Sequence, residues 1–172
     1  PCMVSLAEAR PDTLSPDAQR AFWLNAYNVL TLALIVEHYP VDSIWETTPG
    51  ATAATTEENP FEIVAGVVAG DSLSLDAIQY TRIQPLFADD PRYHMALVCA
   101  AVSCPPLRRE AYQGSQLSAQ LDAQVRRFIQ TTTHNDLSAS SDTVRLSTIF
   151  KWYQEEFGGT EAAVQQFLAP YV

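Results

Sequence analysis

The feature that most limits what this 172-residue chain can fold into is the stretch bounded by Ser15-Pro16-Asp17 and Tyr39-Pro40, which holds no internal glycine or proline. Ser15 suits an N-cap, Pro16 the first helical position and Asp17 the positive end of the helix dipole. At the far end the residue before Pro40 is pushed out of the α region, so the helix should close at His38. Along it Phe22, Leu24, Ala26, Val29, Leu30, Leu34 and Ile35 cover more than one face. A helix apolar on several sides is normally enclosed by other elements. The expectation is a long central helix at the heart of one domain, residues 1–172. Residues 1–14 are read as the remnant of a longer chain, because the sequence starts at Pro1-Cys2 with neither an initiator Met nor a signal peptide.

Elsewhere turn chemistry marks the elements. Residues 49–60, rich in Thr, Ala and acids without a period, read as a mobile surface loop. A β-branched run over 61–68, interrupted by Gly66 and followed by Gly70-Asp71, reads as a short hairpin with a bulge. Ser74 caps a helix to about Gln84, closed by Pro85. Residues 94–102 are almost wholly apolar, and periodicity leaves strand and helix equally open there. Leu117, Leu121, Val125 and Phe128 form a helical stripe over 115–129, with Arg126 and Arg127 at its negative end. Residues 144–146 suggest a short strand, Ser147 a helix running to Gly158-Gly159, and Thr160 a last helix to Leu168. The fold class is therefore α+β: mainly helical, one long central helix, one small antiparallel sheet.

Composition narrows the function. With 47% apolar and 17% charged residues the chain has the means to bury a core. A formal charge of −10 is the wrong sign for a phosphate backbone, so nucleic acid is not an expected partner. The longest apolar run, 29–36, falls short of the roughly 18 residues that span a bilayer. His38, His94 and His134 have no metal-ligand spacing, and neither metal nor cofactor is expected. His38 suits a helix C-terminus and His134, beside Asn135-Asp136, a turn.

Two groups of residues could carry chemistry. Asn25 and Asn28 share a face of the long helix with Trp23 and Tyr27 nearby, although asparagine is a poor helix former. The plain reading is that their amides bond loop backbone and fix packing; the sharper one is that an amide lines a pocket or orients a catalytic ring. In Ser103-Cys104-Pro105-Pro106-Leu107 a thiol ends an apolar element before a stiff diproline. Cysteine is most often a small buried hydrophobe, but a nucleophilic thiol needs such fixed placement. Cys99, five residues away, is read as plain core, since pairing it with Cys104 requires the segment to bend. His94 stands ten residues before Cys104, more than about 30 Å away along a straight strand, so a Cys-His dyad requires the chain to fold back.

Several blocks together resemble a bacterial and plant family known as domain of unknown function 547. They are Ala21-Phe22-Trp23-Leu24-Asn25-Ala26-Tyr27-Asn28, Tyr39-Pro40-Val41-Asp42-Ser43-Ile44, Ala65-Gly66 with Leu73-Ser74-Leu75-Asp76, Asp90-Pro91-Arg92-Tyr93-His94, Ser103-Cys104-Pro105-Pro106-Leu107 and Ile149-Phe150-Lys151-Trp152-Tyr153. The resemblance implies a compact mixed fold with a fixed cysteine, similar to papain-like and transglutaminase-like enzymes, and an extracytoplasmic placement, periplasmic or secreted. After Ile78 the family typically carries an acid, a histidine and, four residues on, an arginine. This chain has Gln79, Tyr80 and Gln84. Tyrosine, which ionises near pH 10, is no base at neutral pH. Two readings follow. One is a cysteine hydrolase or acyl-transfer enzyme with Cys104 as nucleophile, His94 as base and Asn25 as orienter, the pocket built from Trp23, Asn28, Gln79, Tyr80, Arg92 and Ser103. The other is a scaffold without catalysis that binds a peptide or protein. A disulfide-linked role for Cys99 and Cys104 is a third.

Overall fold

A computed structural model describes residues 2–48, 59–100, 103–131, 133–137 and 143–172. The expected loop at 49–60 lies, for 49–58, outside the described residues. Helix α1 (Cys2–Ala7) opens the chain and leads to α2 (Pro16–His38), which has the predicted bounds. Ser15 occupies the N-cap with extended backbone but makes no side-chain bond there. His38 bonds the Leu34 carbonyl through Nδ1 at 2.9 Å, so its helix-terminal role holds. Ala21, Leu24, Ala26, Tyr27 and Leu30 of α2 are fully enclosed, whereas Leu32 and Val36 stand 41% and 72% exposed. Its C-terminal half is therefore covered on one side only.

Strands β1 (Val64–Val68) and β2 (Asp71–Ser74) form the predicted antiparallel hairpin, with the irregularity between Val64 and Gly66. Ala69 and Gly70 both have positive φ, 54° and 85°, as a two-residue turn with the twist of paired strands requires. Their N–H groups donate to the Leu6 and Ala7 carbonyls at 2.8 and 2.9 Å, so α1 is capped by the hairpin tip and 2–14 is built into the domain.

Ser74 accepts from the Ala77 N–H and starts α3 (Leu75–Ile78), as its sequence predicts. The helix does not close at Pro85. It widens into a π turn at Gln79–Ile83 and runs on through α4 (Gln84–Leu86), with Pro85 in the first turn after the widened register. Beyond Met95 the apolar segment 94–102 is neither strand nor helix where described. A 3₁₀ turn, Pro91–Met95, is followed by irregular chain whose backbone groups bond side chains instead of a ladder.

Helix α5 (Leu117–Ile129) follows a 3₁₀ turn at Gly114–Gln116 and buries its predicted stripe. The strand expected at 144–146 is a single bridge, Asp136 with Arg145. The helix expected from Ser147 splits into α6 (Ile149–Trp152) and a 3₁₀ turn, Gln154–Phe157, before Gly158. Thr160 caps α7 (Glu161–Leu168) through the Ala163 N–H, as expected. Two apolar clusters result. One surrounds α2 and takes in the hairpin, α3, Tyr93 and Leu97; the second joins Met95 and α5 to Ile149, Phe150, Phe157 and Val164. Among the described residues no helix is long and apolar enough to cross a membrane.

Candidate functional site

The bend that a Cys104 site demands is made by α2. Asn28 donates from Nδ2 to the Ala96 carbonyl at 2.8 Å and accepts the Val98 N–H at Oδ1 at 2.9 Å. One turn earlier Asn25 holds Tyr112 in the same way, through its carbonyl and its N–H, each at 2.9 Å. Both amides thus do what their plain reading predicts: with no backbone ladder available, irregular backbone is satisfied by helix side chains. Just beyond the Asn28 clamp Ala100 takes a left-handed φ of 54°, and the chain returns so that Cys99 and Cys104 form a disulfide with Cα atoms 6.1 Å apart. The expectation that Cys99 is plain core is overturned, and Cys104 is a bonded sulfur rather than a free thiol.

The disulfide forms part of the wall of a cavity of about 570 Å³, lined by His94, Gln79 and Tyr80 among others. Four of the expected residues, Cys104, His94, Gln79 and Tyr80, are thereby brought together. The other five do not line it. Asn25 and Asn28 hold loops. Trp23 is buried beneath the Arg82 guanidinium, 5.5 Å from its ring centre. Arg92 is tied to Asp90 and Asp122 at 2.7 and 2.8 Å, and the Ser103 carbonyl accepts the Ser147 hydroxyl at 2.7 Å.

His94 is enclosed between aromatic rings, 3.9 Å from the Tyr153 ring and 4.0 Å from that of Tyr93, centre to centre. Its Nε2 lies 3.1 Å from Glu156 Oε2 but out of line for a hydrogen bond, and is otherwise without a partner. The same oxygen accepts the Tyr93 hydroxyl. Burial holds the imidazole below its ordinary range, outweighing Glu156, so the ring is neutral at neutral pH. For Glu156 burial acts upward, but His94, Tyr93 and Gln84 together outweigh it and keep the carboxyl below its ordinary range. Glu156 is the functional candidate that sequence reasoning missed. It follows Glu155 and looks like one of two solvated acids; the one hint nearby was the Trp152-Tyr153 pair in the last family-like block.

At the family-divergent positions Gln79 donates to the Tyr153 hydroxyl at 3.0 Å, and Tyr80 stands 46% exposed at the rim, its phenol pushed up to about 12 by burial and by Tyr153. Asp42 and Asp76 also face the cavity; burial, and then the charge of Glu62, pushes the Asp76 carboxyl up. No group of side chains that could hold a metal is found among the described residues.

No curated protein and no solved structure matches this chain. A family model described as "Protein of unknown function, DUF547" matches residues 11–129. That span carries α2, the hairpin, His94 and the disulfide, and stops before Tyr153 and Glu156. With more than half of its length matched, including the helix and the cysteine segment that build the cavity, the chain belongs to the DUF547 family.

Proposed function

We propose that this domain is a cysteine-dependent hydrolase or acyl-transfer enzyme whose nucleophile, Cys104, is stored in a disulfide with Cys99. The observation that carries it is that Cys104 and His94 line one cavity while Glu156 Oε2 stands 3.1 Å from Nε2 of the histidine ring. That is the order nucleophile, base, orienting acid. A thiol reductant delivers two electrons and two protons to the disulfide and leaves two thiols. Neutral His94 then takes the Cys104 proton as sulfur attacks a carbonyl carbon, and returns it to the departing amine or alcohol; water, or a second acceptor, releases the acyl group by the reverse sequence. Glu156 assumes the orienting role expected of Asn25.

The test is alkylation of reduced protein carrying Cys2→Ser and Cys99→Ser, followed over pH with iodoacetamide. An activated Cys104 labels with a midpoint below the ordinary thiol value of about 8.5, and His94→Gln moves the midpoint back up. Labelling like a free model thiol, indifferent to His94→Gln, overturns the reading.

A second reading has its own support. The bonded sulfur, together with neutral Gln79 and Tyr80 in the wall, suits a scaffold that binds a peptide or protein without chemistry. There Cys104→Ser leaves partner binding intact, whereas the enzyme reading requires that it abolish turnover.

A further inference from the structure

The lining of the cavity has a charge and a shape that select one kind of ligand. Its charged members among the described residues are carboxylates, Asp42 and Asp76; no lysine or arginine lines it. Neither carboxylate is engaged by a basic side chain, for the ion pairs of the described residues join Arg20, Arg82, Arg92, His94 and Arg108 to other acids. Aromatic rings make up much of the remaining surface: Tyr27, Trp45, Phe61, Tyr80, Trp152 and Tyr153. Three of them, Trp45, Tyr80 and Trp152, are 44%, 46% and 55% exposed, a rim of large rings left open to water at the mouth. A second feature is the imidazole of His94. It is 98% buried by residue, lines the cavity, and has its Nε2 3.1 Å from Glu156, so it brings no positive charge to the lining while the ring is neutral.

Aromatic faces attract cations, and the attraction grows when a partly buried carboxylate stands nearby. An anionic ligand would meet two like charges with no counter-cation. A neutral one would leave the half-buried Asp76 carboxylate desolvated without a partner, at a cost. A ligand with a cationic head and an apolar stem satisfies both surfaces.

From this we infer that the cavity receives an amine or guanidinium group on an aliphatic chain, the cation between Asp76, Asp42 and the Tyr80 and Trp45 rings. This rests on the cavity being the ligand site of the function proposed above, but not on Cys104 being reactive. The chemistry is shared by a free diamine and by the side chain of a basic residue in a peptide.

Calorimetry on the oxidised protein tests it, with cadaverine, N-acetyl-lysine methylamide and N-acetyl-arginine methylamide as probes and 1-pentanol and hexanoate as neutral and anionic controls. Binding of at least one cationic probe, about tenfold or more tighter than both controls and about tenfold weaker in Asp76→Asn, supports the inference. Preference for the blocked amino acids over cadaverine assigns the source to a peptide, and the reverse order to a free amine. Equal binding of pentanol, no binding of any cation, or cation binding unchanged in Asp76→Asn overturns it. Tyr80→Leu is the companion variant: at a rim position 46% exposed, it keeps the fold if Asp76→Asn loses it, and it must also weaken the cation by several-fold. Because Cys104 is bonded throughout, these outcomes are independent of the alkylation result.

Discussion

Asn28 is the side chain on which the shape of the site most depends. Both polar atoms of its amide are spent on backbone that has no ladder of its own. Asn28→Ala orphans the buried Ala96 carbonyl and the half-buried Val98 N–H, and with each such loss costing about 1–3 kcal/mol a fall of roughly 2–6 kcal/mol in urea denaturation is expected. Asn25→Ala, whose site is only half-buried, should cost less. His94 gives a different signature. Its folded-state pKa lies below the unfolded value of 6.5, so the unfolded chain binds a proton first as pH falls. Stability is full above about 6.5 and declines as pH drops through and below it. Glu156, the acid facing the ring, is also held low and adds its own loss further down, below its ordinary 4.5. Between pH 7 and pH 5 the loss of stability therefore belongs to His94, against Asp76, whose raised carboxyl acts in the opposite sense, and His94→Gln should remove that loss in denaturation curves. An equal slope in the variant would place the proton uptake elsewhere.

Between elements the tightest approach is made by Gly114, at the turn before α5. A Cβ there would stand 2.6 Å from the Ala18 nitrogen and 2.7 Å from its Cα, both backbone of α2. Gly114→Ala therefore forces the turn away from the helix, at a cost of about 1–3 kcal/mol and a lower melting temperature by calorimetry. By contrast the Cβ of Gly70→Ala meets nothing within 4 Å, and its penalty is confined to the left-handed backbone. Element ends were legible in the sequence where a short-range cap sets them: Pro16 and Pro40 for α2, Ser74 for α3, Thr160 for α7. The same local rules failed at 94–104. An apolar run without a period says that a segment is buried, not how its backbone is satisfied, and here the answer came from one amide, Asn28, 68 and 70 residues away in sequence from the two groups it bonds. The pairing of Cys99 with Cys104 and the meeting of His94 with Glu156 followed from that path. Neither leaves a local mark, whereas the neutral residues at 79 and 80 could be read at once.

Seen whole, the cavity joins two cores. Tyr27, Ile44 and Leu97 reach it from the cluster around α2, and Ile149 and Tyr153 from the C-terminal cluster. Residues beyond 129 lie outside the span the family model matches, yet they cover Met95, Val125 and Phe128, all fully enclosed. Truncation after residue 129 should expose that face and give aggregated protein with strong binding of a hydrophobic dye, rather than a smaller stable domain; a monodisperse, cooperatively melting fragment would contradict this. A cavity shared by two cores has a practical meaning. Whatever fills it acts as a keystone, touching both halves at once, so binding is coupled to resistance against heat. A ligand at about 100 times its dissociation constant adds about 2.7 kcal/mol to folding. The melting curve of the untouched protein can therefore sort a library of compounds before any reaction is known, reading occupancy of the site as a rise in temperature.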